Sequence, residues 1–258
     1  METVTSADGT AIAYDSVGEG PVLVVCVGAF CTRHTFAAPD DPARHFTVVT
    51  YDRRGRGDSG DTEPFAPERE YEDLAAVAAA TAGGEPPFVF GHSSGAAIAL
   101  RAAAAGFPVA GLVAYEAPFT NDETPPPSAD PAARIRELVA AGRERDAVIF
   151  WMTDVVHLPE QTATGLKDAP WIAALEPLAR TLPYDIAVAA GGVPADELAK
   201  IAAPVLVIGG GNSPAWFQRS VAEQAAAVPG ARQVTLNGYD HNAPPEVLTP
   251  ILAEFFIM

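Results

Sequence analysis

A serine with a glycine two positions away on each side, Gly91-His92-Ser93-Ser94-Gly95, falls between the apolar run Phe88-Val89-Phe90 and the alanine-rich stretch Ala96 to Ala105. This order predicts a strand, a tight turn and a helix, with Ser93 at the apex. Such a turn lifts the serine hydroxyl clear of the sheet. It needs glycine at its flanks because a Cβ there would collide with the neighbouring strand and helix. The backbone N–H of Ser94 points toward the same space as the hydroxyl. One pentapeptide therefore specifies a nucleophile and one oxyanion donor, the parts required for acyl transfer. The same chemistry also demands a base, an acid to orient it and a second donor.

The elements that would position Ser93 alternate as a parallel sheet with covering helices requires. An opening hairpin is expected from Thr3-Val4-Thr5 and Ala11 to Tyr14 around Asp8-Gly9, since Asp-Gly suits the positive φ angles of a tight turn. Strands follow at Val22 to Val27 and Phe46 to Tyr51, then a helix over Arg69 to Thr81 that ends at Gly83-Gly84. Past the elbow come a strand at Gly111 to Tyr115 and, much later, strands at Val205 to Ile208 and Gln233 to Leu236. Helices over Trp216 to Ala227 and Glu246 to Phe256 complete the pattern. The fold class is α/β, with a doubly wound, mostly parallel sheet.

Between Glu116 and Val205 the alternation breaks. Asn121 to Asp130 is rich in proline and acid, and helical periodicity follows in Ile135-Leu138-Val139, Ala147 to Val156 and Trp171 to Leu182. The expected organisation is a core domain of residues 1–120 and 201–258 with a helical cap of residues 121–200 inserted after the sixth strand. Ligands of open α/β sheets bind beyond the carboxyl edge of the strands, where such an insertion would roof the site.

Composition narrows the function further. The chain has 258 residues, 48% of them apolar, enough for a substantial core. Sixteen basic against 33 acidic residues give a formal charge of −17, which argues against nucleic acid and anionic lipid surfaces as partners. No apolar stretch approaches the roughly 20 residues of a bilayer span, so a soluble, cytoplasmic protein is expected, as monomer or homodimer. Cys26 and Cys31 are too few for a disulfide framework, and no metal or dinucleotide motif is present, so no cofactor is expected.

The chain resembles the α/β-hydrolase superfamily along essentially its whole length. Three stretches carry the resemblance: the elbow Gly91 to Gly95, the segment Asp52-Arg53-Arg54-Gly55-Arg56-Gly57-Asp58-Ser59, which is similar to the family's D-x-R-G-x-G-x-S, and the late Gly238-Tyr239-Asp240-His241. The resemblance implies an eight-stranded sheet and His241 as the base, in the family's chain order of serine, acid, histidine. Its usual acid position after the seventh strand holds Ser213, which cannot carry negative charge. Some haloalkane dehalogenases of the superfamily take the acid from the end of strand six, which points to Glu116, with Asp240 as the contender. The second oxyanion donor carries over to the Ala29 N–H, although the family's preceding histidine is here Val27. The Asp52 to Ser59 segment itself is expected to be a structural turn beneath the elbow. Of the other histidines, His92 lies inside the elbow with its side chain directed away from the nucleophile and is expected to pack or hydrogen-bond in the scaffold, while His34, His45 and His157 lack a positional argument for base work, although His157 could face the pocket.

The resemblance thus implies a serine hydrolase acting on an ester, thioester or lactone through Ser93, His241 and Glu116, with Ala29 and Ser94 as the oxyanion hole. The aspartate-nucleophile relatives, haloalkane dehalogenases and epoxide hydrolases, are excluded by Ser93. Candidate pocket walls are Phe30, Phe119, Phe150, Trp151, Met152, Trp171 and Trp216, suited to a small apolar or aromatic substrate. Two rival readings stay open: a C–C bond hydrolase, cyclase or lyase on the same scaffold, and a binding protein that has lost turnover.

Overall fold

The computed structural model describes residues 1–36, 42–127, 130–158 and 165–257. Its strands are β1 (Glu2–Thr5), β2 (Ala11–Val17), β3 (Val22–Cys26), β4 (Thr47–Tyr51), β5 (Phe88–His92), β6 (Gly111–Tyr115), β7 (Val205–Gly210) and β8 (Arg232–Leu236). They form one eight-stranded sheet in the order β1-β2-β4-β3-β5-β6-β7-β8. The first hairpin and the β2–β4 pair are antiparallel, and every later pairing is parallel. Gly9 makes the hairpin turn with φ +90. The strand order reverses direction at β3, so β5 lies at the centre with its carboxyl end open to a ligand.

Helices cover both faces. On one side α1 (Pro67–Thr81), α2 (Ser94–Ala104) and α7 (Ala215–Ala227) lie over the sheet, and on the other α8 (Pro245–Ile257) packs on Phe90, Val113 and Leu206. The small side chains of Ala96, Ala97 and Ala99 are fully buried, which lets α2 sit close under β5 and hold the elbow rigidly. Helix α2 starts at Ser94, two residues before the alanine run, because Ser93 itself is the turn. No helix among the described residues is long and apolar enough to cross a membrane.

Between β6 and β7 lie α3 (Pro131–Ala140), α4 (Glu144–Phe150), α5 (Leu182–Ala189) and the short α6 (Ala195–Leu198). Helix α4 runs on into a wider π turn over Trp151–Val155. The continuous helix expected over 171–182 is instead a chain of 3-10 turns, Pro170–Ala174 and Glu176–Thr181, which leads into α5. Prolines at 170, 177 and 183 each remove a backbone donor, so every turn restarts before an α-helix can propagate. Residues 128–129 of the proline-rich stretch lie outside the described residues. The insertion is knitted into the core at its far end, where Val188 and Leu198 join the clusters beneath α1 and α2.

Candidate active site

Ser93 sits at the turn with φ 57 and ψ −130, a left-handed conformation that costs an L-residue about 1–3 kcal/mol and persists only where its surroundings enforce it. They do so by close packing. A Cβ on Gly95 would lie 2.1 Å from the Cys26 carbonyl oxygen, and one on Gly91 would lie 2.6 Å from the Ala96 Cα. The Ser93 N–H donates to the Tyr115 carbonyl at 2.9 Å, tying the elbow to the end of β6. Gly28 lies directly against Ser93: a Cβ there would meet the Ser93 Cβ at 2.6 Å.

The residue after Tyr115 is Glu116, fully buried and again at positive φ (50°). Its carboxylate accepts from the Gly210 N–H at 2.8 Å and from His241 Nδ1 at 2.7 Å. Burial raises the Glu116 pKa, but the bonds from His241 and Gly210, with a contribution from the Ser213 hydroxyl, outweigh it and hold the group below the usual carboxylate range. Glu116 is therefore ionised wherever the enzyme is folded near neutrality. A charged acceptor at Nδ1 keeps the ring proton there and leaves Nε2 with a free lone pair, the tautomer a general base requires. Asp240, the other contender, is exposed, and among the described residues its carboxylate accepts only the Asn242 N–H at 3.0 Å. The position of the missing acid, Ser213, is buried with its hydroxyl lacking a well-formed hydrogen bond.

The loop bearing His241 is held from the sheet. Tyr115 donates its hydroxyl to the Asp240 carbonyl and accepts the Ala243 N–H at 3.1 Å. His92 Nε2 donates to the His241 carbonyl at 2.8 Å, with the two rings 4.6 Å apart. His92 is thus a scaffold residue, as its place in the elbow suggested. Burial, reinforced by His241, pushes its imidazole down to about 3, so it stays neutral beside His241. Ser93 Oγ and His241 are not joined by a hydrogen bond; in ligand-free sites such bonds are often loose and close only around substrate.

The two residues expected to supply oxyanion donors are placed by neighbouring elements. Ser94 is the first residue of α2, so its N–H has no intrahelical acceptor. The Ala29 N–H makes no hydrogen bond among the described residues. The loop that carries it is pinned by two buried arginines from the turn after β4: Arg53 Nη1 donates to the Val27 carbonyl at 3.4 Å and Arg56 Nη1 to the Gly28 carbonyl at 2.6 Å. These bonds take over the bracing that a histidine at position 27 would supply. Farther along the loop, Arg33 is fixed by ion pairs to Asp15, Asp52 and Asp58.

Of the pocket walls expected from sequence, Phe150, Trp151 and Met152 belong to the insertion's own apolar cluster, against which Ala29 and Phe30 of the core pack, Phe30 meeting Trp151 edge-on at 6.1 Å. Phe119 is not a wall. It is fully buried in the core cluster under the sheet with Arg101 over its ring, because the chain after Glu116 turns inward before the insertion begins. Trp171 is also misplaced by the sequence reading: it is 51% exposed on a 3-10 turn that points it to solvent. Trp216 stands one ring away from the histidine, stacked on Phe217, and it is Phe217 that approaches His241, at 5.6 Å. His157 is engaged by the Pro125 carbonyl. A cavity of about 210 Å³ flanks His241 on the α8 side, lined by Val27, Phe36, Phe90, His92, Tyr115 and Leu248. Two of its lining residues, Phe90 and His92, alternate along β5 and so share one face of the sheet, a signal present in the sequence.

The profile of the alpha/beta hydrolase family matches residues 23–248. Among solved structures, an alpha/beta hydrolase from Sphaerobacter thermophilus is 45% identical, with 99% of this chain and all of that one covered and a TM-score of 0.93. An esterase from a Rhodococcus species has 22% identity over 99% of this chain and 98% of its own, at a TM-score of 0.71. The enol-lactonase of Burkholderia xenovorans has 20% identity over 100% of both chains, at 0.73. Sheet order, elbow and the extent of the match agree: the chain belongs to the alpha/beta hydrolase family.

Proposed function

We propose that the protein is a serine hydrolase that cleaves an ester, thioester or lactone of a small, largely apolar substrate through an acyl-enzyme on Ser93. The observation that carries this reading is the 2.7 Å bond between His241 Nδ1 and the buried Glu116 carboxylate, a pairing that prepares Nε2 to receive a proton beside a strained, glycine-flanked serine. His241 Nε2 takes the Ser93 proton as Oγ attacks the carbonyl carbon, and the carbonyl oxygen becomes an oxyanion held by the Ala29 and Ser94 amides. The carbon–heteroatom bond to the leaving group then breaks, and that group departs with the proton from His241. Water repeats the sequence: it gives its proton to His241, adds to the acyl carbon and releases the acid, returning the proton to Ser93.

The helical segment between β6 and β7 acts as the cap over this site. Its apolar cluster of Phe150, Trp151 and Met152 beside Phe30 favours an apolar acyl or aryl group. Proteins of the same fold are named as an esterase and an enol-lactonase, which accords with two of the three bond types proposed. The test is a panel of p-nitrophenyl esters of graded acyl length, aryl thioesters and lactones. At least one class is hydrolysed with saturation kinetics, and Ser93→Ala removes that turnover. A panel left untouched by the folded protein, or turnover that survives Ser93→Ala, overturns the reading.

A further inference from the structure

The D-R-R-G-R-G turn is expected from sequence to be a plain structural element, but its side chains are bound up with the oxyanion residues. Arg53 and Arg56 are buried to 0 and 1% exposure, together with Glu70 and, in α5 of the insertion, Asp185. Two arginines face two carboxylates, so the cluster is neutral overall. Asp185 is its hub. Oδ1 accepts from Ser94 Oγ at 2.6 Å and from Arg53 Nη1 at 2.7 Å, while Oδ2 accepts from Arg56 Nη2 at 2.7 Å. Arg53 also donates to Ser94 Oγ at 3.0 Å, and Arg56 Nε donates to Thr181 Oγ1 at 3.1 Å.

Each line from this carboxylate ends on a residue that offers or precedes an oxyanion amide. Through Ser94 Oγ it fixes the residue whose N–H is one donor. Through Arg56 and Arg53 it fixes the carbonyls of Gly28 and Val27, the peptide units leading to the other donor, Ala29. We propose that Asp185 is the positioning residue for both halves of the oxyanion hole, so that a side chain of the insertion sets the catalytic geometry of the core. This rests on the serine-hydrolase reading above. Asp185 touches no reacting atom, and its effect appears as transition-state stabilisation: kcat falls while substrate binding holds.

The test compares Asp185→Asn with Asp73→Asn. Asp73 is likewise buried and is paired with one arginine, Arg54, but that pair reaches Asp8 and Arg69 rather than the oxyanion loop. Asp185→Asn is expected to lower kcat about 100-fold, the scale of one lost oxyanion donor, with KM changed less than about threefold. Affinity for an aryl boronic acid or trifluoromethyl ketone, whose bound oxygen occupies the oxyanion hole, falls by a similar factor. Asp73→Asn keeps wild-type kcat and inhibitor affinity whatever its effect on melting temperature. Should Asp185→Asn fail to fold, Thr181→Val, which removes the acceptor of Arg56 Nε together with the hydroxyl's own bond to the Leu178 carbonyl, shows the same kcat and inhibitor pattern at several-fold. A folded variant with undiminished kcat, a kcat loss without loss of inhibitor affinity, or an equal loss in Asp73→Asn overturns the proposal. Those results leave wild-type turnover intact and so differ from failure of the hydrolase reading, in which the wild type itself neither hydrolyses the panel nor takes up the inhibitor and both ideas fall.

Discussion

Replacing Glu116 by glutamine keeps the volume of a fully buried side chain and removes its charge. The consequence follows from the two bonds it makes. The Gly210 N–H, 2.8 Å away, can donate only to the amide oxygen, so the new NH2 group must face His241 Nδ1. Nδ1 then becomes an acceptor and the ring proton moves to Nε2, the atom that has to receive the Ser93 proton. The variant is thereby locked in the wrong tautomer as well as deprived of the charge that stabilises the imidazolium. The corresponding change in a serine-protease triad lowers kcat about 10⁴-fold. A loss of about 10³- to 10⁴-fold is expected here, or about 4–5.5 kcal/mol of transition-state stabilisation. KM should stay close to that of the wild type, because Glu116 lies beneath the histidine and away from the substrate. Steady-state hydrolysis of the best p-nitrophenyl ester measures this, with circular dichroism to confirm folding. Asp240→Asn, at an exposed carboxylate that accepts from the Asn242 N–H, leaves kcat within about twofold. Retention of more than a tenth of wild-type kcat in Glu116→Gln, or its abolition in Asp240→Asn, refutes the assignment of the acid.

Three further outcomes follow from the same geometry. In a Glu116→Ala background, Ser213→Asp puts a carboxylate at the buried position after β7 and recovers about tenfold of the lost kcat, about 1.4 kcal/mol; no recovery in the folded double variant counts against Ser213 as the alternative acid position. His92 falls to about 3 in the folded protein from an ordinary 6.5, so the unfolded chain takes up that proton first. Its contribution is intact above about pH 6.5 and is lost as the pH falls toward 3, by up to about 1.4 kcal/mol per unit. Urea unfolding at pH 4, 5, 6 and 7 therefore shows a shallower acid-side decline in His92→Gln than in the wild type, and parallel curves contradict it. Gly95→Ala forces a methyl group into the Cys26 carbonyl and destabilises the fold by about 1–3 kcal/mol or more, with a drop in kcat as the oxyanion loop shifts. An unchanged melting temperature and rate in Gly95→Ala speak against tight packing at the elbow.

The strands and the elbow were legible because their signals are local. Alternating apolar residues, Asp8-Gly9 and the glycines around Ser93 each act through sterics within a few residues. The pairing of Glu116 with His241 spans the chain, and it was indicated by the resemblance to relatives that take the acid from the end of strand six, with Asp240 left as the contender; a carboxylate directly after a buried strand only added to that reading. The insertion was less legible. Its apolar periodicity from 171 to 182 suggested one helix, but the prolines decide the outcome locally, and Trp171 consequently turns outward. Phe119 and Phe217 illustrate a different limit: an aromatic residue in a sequence does not declare whether it faces core or cavity, and only the path of the chain after β6 and the rotation of α7 settle it. The role of Arg53 and Arg56 was hidden for the same reason. Their partner Asp185 is more than a hundred residues away, in a segment whose helices could not be oriented from pattern alone.

The central claim is that Ser93 is a nucleophile activated by His241. The most direct measurement is the reaction of the intact protein with a fluorophosphonate, read by whole-protein mass and by mapping of the modified peptide. The account predicts one adduct per chain on the peptide bearing Ser93, formed rapidly in the wild type and at least about a hundredfold more slowly in a folded His241→Ala. A folded wild type that takes up no reagent, an adduct on another residue, or labelling of His241→Ala at the wild-type rate would contradict it.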